Sequence, residues 1–590
     1  MKTYAVFSYK ELSMRKLSAI VLLVVAALVL SVLALPAAAQ DEGGPGEGGI
    51  IIESNFGGDI ATLNPIIISD ASSSAVAGFL YPSIIGLDPE TQNAAPNVAG
   101  ALATGWEYDE TGTVLTIHLR DDAFWNDGTP ITSADYLYAA EAIKSGETDS
   151  ARTYVFDSIE SIEAPDDYTV VVTFKEFNCR SFNDVNDIPV VPSHIFSEVF
   201  ETYADMNEDV DYNLNPTVTF GPFAFGEYRP AEQVSLVADQ SYPDTILGYV
   251  SPAGWIYKNV ADQTVEIELL LAGEINVVAG VTPERQQDMR DNPDIQTFDY
   301  PANGYTYMGF NLADPTNPQN GLDEEGNPID QGHHPLFGDV RVRQAIAMGV
   351  DVASMVDATL FGEGVQIATN AIPTSWAYDD SIEPWPFDPD AASALLEEAG
   401  WIDEDGDGVR ECHGCLYAEE GTPAEFELLT NAGNTTRERI GEIIQSQLAD
   451  LGIKVNFNAI DFNILVQTLL GQEFDAIIIG WSLGLPDDPD GTAFYGPEND
   501  LVGSGFNFVS MNNEELNRLY EEAAHVEGCD QDARAELYIE ANRLLRNELP
   551  YLYLYSANAQ YAVRAEIEGF DPFPSFLYWN IDAWRVISAE

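Results

Sequence analysis

The chain has 590 residues, more than one hydrophobic core usually serves, so two or three lobes are expected. Its 45% apolar and 11% aromatic residues are typical of a globular protein and argue against wholesale disorder. The 97 acidic residues far outnumber the 25 basic ones, and the formal net charge of −72 argues against nucleic acid as a partner. Such an acidic surface suits high salt or low pH, and it does not indicate a ligand.

The N-terminal segment predicts export. Residues 17–35 are almost entirely apolar, follow Arg15 and Lys16, and end shortly before an Ala-x-Ala pattern that finishes at Ala39. This is the arrangement of a signal peptide, so residues 1–39 are expected to be removed by cleavage after Ala39. The mature protein is therefore expected in the periplasm or at the cell surface.

Two alternatives stay open at this end of the chain. The apolar run is just long enough to span a bilayer, so it could be retained as an anchor. Translation from Met14 would also give a more compact signal peptide than translation from Met1. No cysteine stands directly after the apolar run, so a lipid anchor is not supported, and residues 40–49 are interpreted as an acidic, Gly-rich tether.

Four cysteines are present, and disulfides are the usual state of cysteines outside the cytosol. Cys412 and Cys415 could close a small loop, which leaves Cys179 and Cys529 either to pair or to stay free. A zinc site is the weaker interpretation, because no second Cys/His pair stands at ligand spacing.

The stretch from Trp106 to Ile143 predicts a strand, a tight turn and a capped helix. Thr113 to Leu119 alternates apolar and polar residues, the pattern of a half-buried strand. Asn126-Asp127-Gly128 is a turn signal. Thr132 can cap a helix by accepting from the amide of Asp135. One face of that helix carries the apolar residues Tyr136, Ala139, Ala140 and Ile143.

The same stretch contains LTIHLR and NDGTPIT, and it resembles the signature of extracytoplasmic solute-binding proteins of family 5, the peptide, nickel and oligosaccharide receptors of ABC importers. Other segments resemble the family in the same order along the chain. They are Thr62 to Pro65 (TLNP), Gly221 to Phe223 (GPF), Leu336 to Ile346 (LFGDVRVRQAI), Asp388 to Trp401, and Pro550 to Tyr555 (PYLYLY). The resemblance therefore covers nearly the whole mature chain.

The resemblance implies an α/β fold of the type II periplasmic-binding-protein kind, with two main lobes and an extra subdomain around a hinged cleft. Lobe I is expected to comprise residues 50–88, 194–302 and 556–590. The extra subdomain, domain II, is expected at 89–193, and lobe III at 303–555.

The cleft implied by the resemblance should take ligand-facing groups from several loops. The predicted binding residues are Thr62, Asn64, Trp376, Trp385, Trp481 and Asp487. In peptide-binding relatives, an aspartate a few residues after the tryptophan pairs with the α-amino group of the peptide. Counting from Trp481 gives Gly484 at that place, so the partner is missing unless Asp487 substitutes.

Alternating Asp and Gly residues at 403–408 resemble the start of a calcium loop, because carboxylates two residues apart can converge on one hard cation. Asp403, Asp405 and Asp407 are the predicted ligands. An EF-hand would need Glu at the twelfth position, which here is Gly414, so an ordinary acidic turn is the alternative. No other cofactor is expected.

No catalytic constellation emerges from the sequence, so an enzyme is not expected. The predicted function is a binding protein that captures peptides, or a similar small polar solute, and delivers them to a membrane permease. An oligosaccharide receptor is the alternative, since aromatic faces can stack on sugars. A non-transport adhesion or sensing protein with the same fold is a third possibility. A monomer is expected.

Overall fold

The computed structural model describes residues 44–55, 58–208 and 210–587, and the predicted signal peptide and the start of the predicted tether lie outside this part of the chain. In the described part, the strands are β1 Ile50–Asn55, β2 Gly86–Leu87, β3 Ala94–Ala95, β4 Ala103–Tyr108, β5 Val114–Leu119, β6 Ile159–Asp166, β7 Thr169–Phe174, β8 Phe223–Arg229, β9 Gln233–Ala238, β10 Gly254–Asn259, β11 Val277–Val278, β12 Ile295–Pro301, β13 Gly304–Phe310, β14 Gly364–Gln366, β15 Trp401–Ile402, β16 Glu411–Cys412, β17 Glu425–Asn431, β18 Lys454–Ile460, β19 Ala476–Ser482, β20 Tyr551–Arg564, β21 Ile567–Glu568 and β22 Arg585–Val586.

Helices cover the strands and the connections between them. The α-helices are Ala71–Ala77, Ser133–Lys144, Val155–Ser158, Ser181–Asn186, Ser193–Val199, Gln263–Ala272, Pro283–Asp291, Val340–Gly349, Val352–Leu360, Pro389–Glu398, Thr435–Asp450, Phe462–Leu470, Thr492–Tyr495, Glu514–Ala524 and Gln531–Glu548. Short 3₁₀ helices are Tyr203–Asn207, Asp211–Asn213, Pro497–Asn499, Glu527–Cys529 and Ile581–Ala583.

Strand β20 joins the two main lobes. Its N-terminal half pairs with β13 and β14 of lobe III, and its C-terminal half pairs with β11 and β12 of lobe I. The resulting sheet has the order β18-β17-β19-β13-β20-β11-β1-β10-β9-β8. The chain crosses between the lobes a second time from β12 to β13. This mixed α/β architecture is the predicted type II binding-protein fold.

Lobe III contains a parallel strand–helix–strand unit. Strands β17 and β18 pair in parallel, and the helix Thr435–Asp450 connects them along the chain. Ile440, Ile444 and Leu448 on that helix are fully buried, as expected for one apolar face of a helix packed against a sheet. The next strand, β19, also pairs with β17 in parallel, so the carboxyl ends of both strands point the same way.

Domain II is built on a separate antiparallel sheet with the order β4-β5-β7-β6. Its apolar core also contains residues outside the predicted bounds of 89–193: Ile66 and Ile84 precede them, and Phe196 and Phe220 follow them. The predicted boundary at 193 therefore differs from the packing. The helix Ser193–Val199 buries Phe196 against domain II, a contact that chain order alone does not specify.

The strand, turn and helix predicted between Trp106 and Ile143 are confirmed. Asp135, which is 2% exposed, joins three segments of this unit. Its carboxylate accepts from Thr132 N at 2.9 Å, from Trp125 Nε1 at 3.3 Å, and from Ser193 N at 2.9 Å. The helix start is thereby tied to the core of domain II, so this stretch braces the scaffold.

All four cysteines form disulfides. Cys412 and Cys415 close a small loop, as predicted, with their Cα atoms 5.6 Å apart. Cys179 and Cys529, whose pairing was left open, are joined across 350 residues, with their Cα atoms 5.5 Å apart. This second disulfide connects domain II to lobe III.

Candidate functional site: the interlobe cleft

A cavity of about 1300 Å³ lies between the lobes. All three parts of the molecule contribute to its walls. They include Phe79, Tyr300 and Tyr578 from lobe I, Ala99, Arg152 and Asp187 from domain II, and Thr306, Arg437 and Trp481 from lobe III. The cavity is rich in aromatic groups and has few charges, the usual character of a site for a small organic ligand.

The lobe III wall lies where the parallel strands end. Gly480, Trp481 and Ser482 at the carboxyl end of β19 line the cavity, and the helix Thr435–Asp450 starts just after the carboxyl end of β17. Ligand sites of open α/β sheets commonly form outside the carboxyl ends of the strands. The topology therefore brings Arg437, in the first turn of that helix, to the cavity.

Arg437 is the unpaired cation of the lobe III wall. Its Nη1 donates to Asn431 Oδ1 at 3.0 Å, and no carboxylate of the described residues lies within 4.0 Å of its guanidinium. Burial lowers the pKa of Arg437 below its ordinary value. A guanidinium in this state lacks a counter-charge, and a ligand carboxylate would supply one in a favourable bidentate geometry.

Three carboxylates also line the cavity, and they differ in their partners. Asp244 is neutralised by Arg120, whose Nη1 lies 2.6 Å away. Asp187 accepts from the hydroxyl of Tyr154 at 2.5 Å, and Asp582 accepts from the backbone N–H of Ile246 at 2.7 Å. Burial raises the pKa of both Asp187 and Asp582 above the ordinary value. Neither of these two has a cation within 4.0 Å among the described residues.

Trp481, one of the predicted binding residues, lines the cavity. Its ring stacks near Phe508, with centroids 5.6 Å apart, and packs against Phe494 at 4.6 Å. Its Nε1 donates to the hydroxyl of Tyr551 at 3.4 Å. These contacts hold the indole in one orientation, so it offers a rigid wall to a ligand.

The loop that follows Trp481 directs its aspartates into the protein. Asp487 Oδ2 accepts from the hydroxyl of Ser375 at 2.8 Å, and it is absent from the cavity wall. Asp488 pairs with Arg534 at 2.7 Å, and Asp490 pairs with Arg180 at 2.7 Å. Leu483 and Leu485 are the loop side chains that face the cavity.

Thr62 and Asn64 lie beneath the cavity wall. Thr62 Oγ1 donates to the carbonyl of Asn213 at 3.3 Å, and Asn64 Nδ2 donates to Asn213 Oδ1 at 3.1 Å. Asn64 is 1% exposed, whereas the neighbouring Pro65 lines the cavity. In this conformation the two polar side chains hold the chain in place beneath the cleft, and neither presents a free group to it.

Trp376 and Trp385 also lie away from the cavity wall. Trp376 Nε1 donates to the carbonyl of Asp487 at 2.9 Å, and its ring lies under the guanidinium of Arg534 at 5.4 Å. Trp385 Nε1 donates to the carbonyl of Arg546 at 2.8 Å, and that residue's guanidinium lies 4.2 Å from its ring. Both indoles are engaged in packing within lobe III.

The acidic loop predicted to bind calcium lies in lobe III. One carboxylate oxygen from each of Asp403, Asp405, Asp407 and Glu411 can be chosen so that all four lie within 4.8 Å of one another. Glu411 was not among the predicted ligands. The loop is held by its own backbone, since Asp403 accepts from Gly406 N at 2.7 Å.

Arg437 was missed at the level of sequence, although a local signal marks it. A cation in the first turn of a helix faces the positive end of the helix dipole and is therefore unfavourable there. Arg437 also lies within one helical turn of Gly433-Asn434, the turn that follows an apolar strand. Together these features indicate that the arginine at this position serves a purpose other than stabilising the helix. Asp187 and Asp582 have no comparable signal, because only the fold brings them to the cleft.

Two lobes joined by two chain crossings around a cavity of this kind define a ligand-binding protein. The family model "Bacterial extracellular solute-binding proteins, family 5 Middle" matches residues 97–500. The chain belongs to this family, as its sequence predicted.

Similar proteins cover almost the full length of the chain. The oligopeptide-binding protein AppA of Bacillus subtilis is 26% identical over 551 residues, 92% of each chain. The heme-binding protein A of Haemophilus influenzae is 24% identical over 552 residues, 89% of each chain. The names of these two relatives refer to ligands of different chemistry.

Solved structures share the fold. AppA of B. subtilis in complex with a nonapeptide has a TM-score of 0.79 at 24% identity and covers 92% of this chain and 100% of that chain. NikZ of Campylobacter jejuni in complex with Ni(L-His) has a TM-score of 0.74 at 21% identity, covering 92% of this chain and 100% of that chain. Among the described residues, no helix combines the length and apolarity needed to cross a membrane.

Proposed function

We propose that the protein captures short peptides in the interlobe cleft and delivers them to the permease of an ABC importer. The observation that carries this proposal is Arg437, an unpaired guanidinium on the wall of a cavity of about 1300 Å³. An unmodified linear peptide ends in a carboxylate, and a partly buried guanidinium is well suited to bind one. Peptide-binding relatives that match along most of the chain support the same assignment.

The other end of a peptide carries an ammonium group, and the cavity offers two carboxylates that have no cation within 4.0 Å among the described residues. Asp582 is 5% exposed and accepts one backbone hydrogen bond, which leaves lone pairs for an ammonium. Asp187 is the second candidate. Asp487, the partner predicted from sequence, would have to give up its bond to Ser375 and turn towards the cleft.

The decisive experiment is a thermal-shift screen of di- to pentapeptides, each as the free acid and as the C-terminal amide. Free acids should raise Tm, and amides should not. Arg437→Gln should weaken the binding of free acids by about 30- to 150-fold, the equivalent of about 2–3 kcal/mol for loss of a buried charge pair. Equal binding of acid and amide forms would contradict the role of Arg437.

Arg439→Gln is the matched control. Arg439 lies on the same helix, is exposed, and pairs with Glu284 outside the cavity, so its loss should leave affinity unchanged. Asp582→Asn, Asp187→Asn and Asp487→Ala, each tested with free and N-acetylated peptides, then identify the ammonium partner. The partner's variant should lose the preference for the free amine.

The oligosaccharide alternative is less well supported by the geometry. It relied on aromatic side chains that could stack on sugar rings. Trp376 and Trp385 are engaged in packing with Arg534 and Arg546, which leaves Trp481 and Trp579 as the tryptophans on the cavity wall. Oligosaccharides belong in the same screen, and a sugar-dependent shift that survives Arg437→Gln would favour them.

Export, cleavage after Ala39 and a monomeric state are further parts of the proposal. They are tested by N-terminal analysis of the mature protein and by its mass in solution. A non-transport role is the remaining alternative; neighbouring genes for two permeases and two ATPases would speak for import. A structural Ca²⁺ at Asp403, Asp405 and Asp407, joined by Glu411, is proposed for the acidic loop.

A further inference from the structure

Domain II and lobe III have no direct connection along the chain. Domain II is inserted between two parts of lobe I, and the chain reaches lobe III through the crossing at 301–304 and through β20. The disulfide between Cys179 and Cys529 adds a covalent link between these two parts, across 350 residues. Lobe I, domain II and lobe III are thus linked in a closed covalent loop, which runs through the hinge crossings and the disulfide.

Noncovalent contacts reinforce the same junction. Cys179 N donates to the carbonyl of Ala524 at 2.8 Å. The next residue, Arg180, reaches across to Asp490, whose side chain is 5% exposed, at 2.7 Å. The raised pKa of Arg180 is consistent with the nearby carboxylates of Asp490, Asp184 and Asp488. The two surfaces are therefore matched in charge as well as covalently joined.

The junction borders the ligand cleft. Asn183 Nδ2 donates to the carbonyl of Pro486 at 3.3 Å, one helical turn before Asn186, which lines the cavity from domain II. On the other side, Leu485 lines the cavity from lobe III. Opening the cleft by moving lobe III away from lobe I and domain II would have to separate these residues. A disulfide restrains that separation, because its Cα atoms stay within about 7 Å.

We propose that the Cys179–Cys529 disulfide is a latch that limits opening of the cleft and is released by reduction. Two electrons and two protons from a dithiol reductant convert it to two thiols while the reductant becomes a disulfide, so the step is balanced. Once released, domain II is held to lobe III by Arg180–Asp490 and the hydrogen bonds of the junction. Any effect of this opening on ligand exchange rests on the proposed function, whereas the opening of the cleft itself does not.

The test measures opening without ligand by small-angle X-ray scattering. The Cys179→Ser/Cys529→Ser double variant should have a larger radius of gyration and a broader distance distribution than the oxidised wild type. The matched control is Cys412→Ser/Cys415→Ser, because both ends of that disulfide lie within lobe III. This control should scatter like the wild type. Because it retains the Cys179–Cys529 disulfide, a dithiol should still open its cleft.

Folding is checked separately by circular dichroism. Wild-type protein treated with dithiothreitol provides a second route to the released state, and reoxidation should restore the compact profile. A folded, released protein with unchanged scattering would overturn the proposal. Unfolding of both the double variant and the reduced wild type would also overturn it, since the disulfide would then hold the fold rather than gate the cleft. Neither result depends on the identity of the ligand.

Discussion

Arg437 stands where a helix disfavours a cation, and it lacks the carboxylate partner that its neighbour Arg439 finds in Glu284. A guanidinium in a half-enclosed wall without a partner has an unfavourable free energy. An ion pair with a ligand carboxylate can offset this cost on binding. The contrast with Arg343 is instructive. That buried guanidinium donates to the carbonyls of Phe337 and Glu548, so it braces the fold.

Glu53 is a buried acid with a stability consequence. It is 4% exposed beside Trp255, Tyr257, Tyr578 and the second buried acid Glu266, and burial raises its pKa to about 8 from 4.5. A folded-state pKa above the unfolded value means that the native state holds the proton more tightly. The contribution of Glu53 to stability is therefore full below about pH 4.5 and is lost as pH rises towards 8.

We predict that Glu53→Gln removes much of the loss of stability that rising pH causes through Glu53. Relative to the wild type, the variant should gain about 3–5 kcal/mol in unfolding free energy between pH 4.5 and pH 8, the cost of ionising one buried carboxyl. Urea unfolding at pH 5 and pH 8 measures the difference. The exposed Glu90→Gln is the control and should change neither value. A wild type that gains stability from pH 5 to pH 8, with Glu53→Gln following it, would contradict the assignment.

At the scale of elements, the loop after β19 illustrates how a recognition segment is stabilised. Each of its aspartates binds a different neighbour: Asp487 accepts a hydrogen bond from Ser375, Asp488 pairs with Arg534, and Asp490 pairs with Arg180. The loop thereby presents leucines to the cavity. A sequence count that expects an aspartate there as ligand partner cannot anticipate this, because the arginines that attract these carboxylates come from distant segments.

The acidic loop between β15 and β16 supports a prediction of its own. If Ca²⁺ binds, millimolar calcium should raise Tm by a few degrees, since a ligand at 100 times its Kd stabilises by about 2.7 kcal/mol. Asp405→Ala should abolish the shift, and Asp121→Ala, an exposed acid elsewhere, should retain it. Differential scanning fluorimetry with calcium and with chelator makes the comparison. An unchanged wild-type Tm would exclude a calcium site of useful affinity.

At the scale of the whole molecule, the net charge of −72 opposes the compact state through self-repulsion. Raising NaCl from 0.1 to 1 M shortens the Debye length from about 10 Å to about 3 Å, so we predict that Tm rises by several degrees. The rise should shrink at pH 4.5, where carboxylates begin to bind protons. An equal rise at both pH values would point to a salt effect other than screening.

Much of the fold could be predicted from sequence because its signals are local. The cap at Thr132, the alternation in β5 and the apolar face of Thr435–Asp450 each depend on neighbouring residues, and the motifs in their order identified the family. The end of domain II was less predictable. Phe196 is apolar in either assignment, and only packing decides which core receives it.

The candidate site divides in the same way. The sequence by itself determined the family, the presence of a cleft, Trp481 on its wall and the closure of Cys412 with Cys415. Tertiary structure alone decided that Arg437, Asp187 and Asp582 share one cavity, that Trp376 and Trp385 pack elsewhere, and that Cys179 meets Cys529. The physical reason is that a binding wall is assembled from segments hundreds of residues apart, whose meeting depends on how sheets and lobes pack rather than on any local preference of the chain.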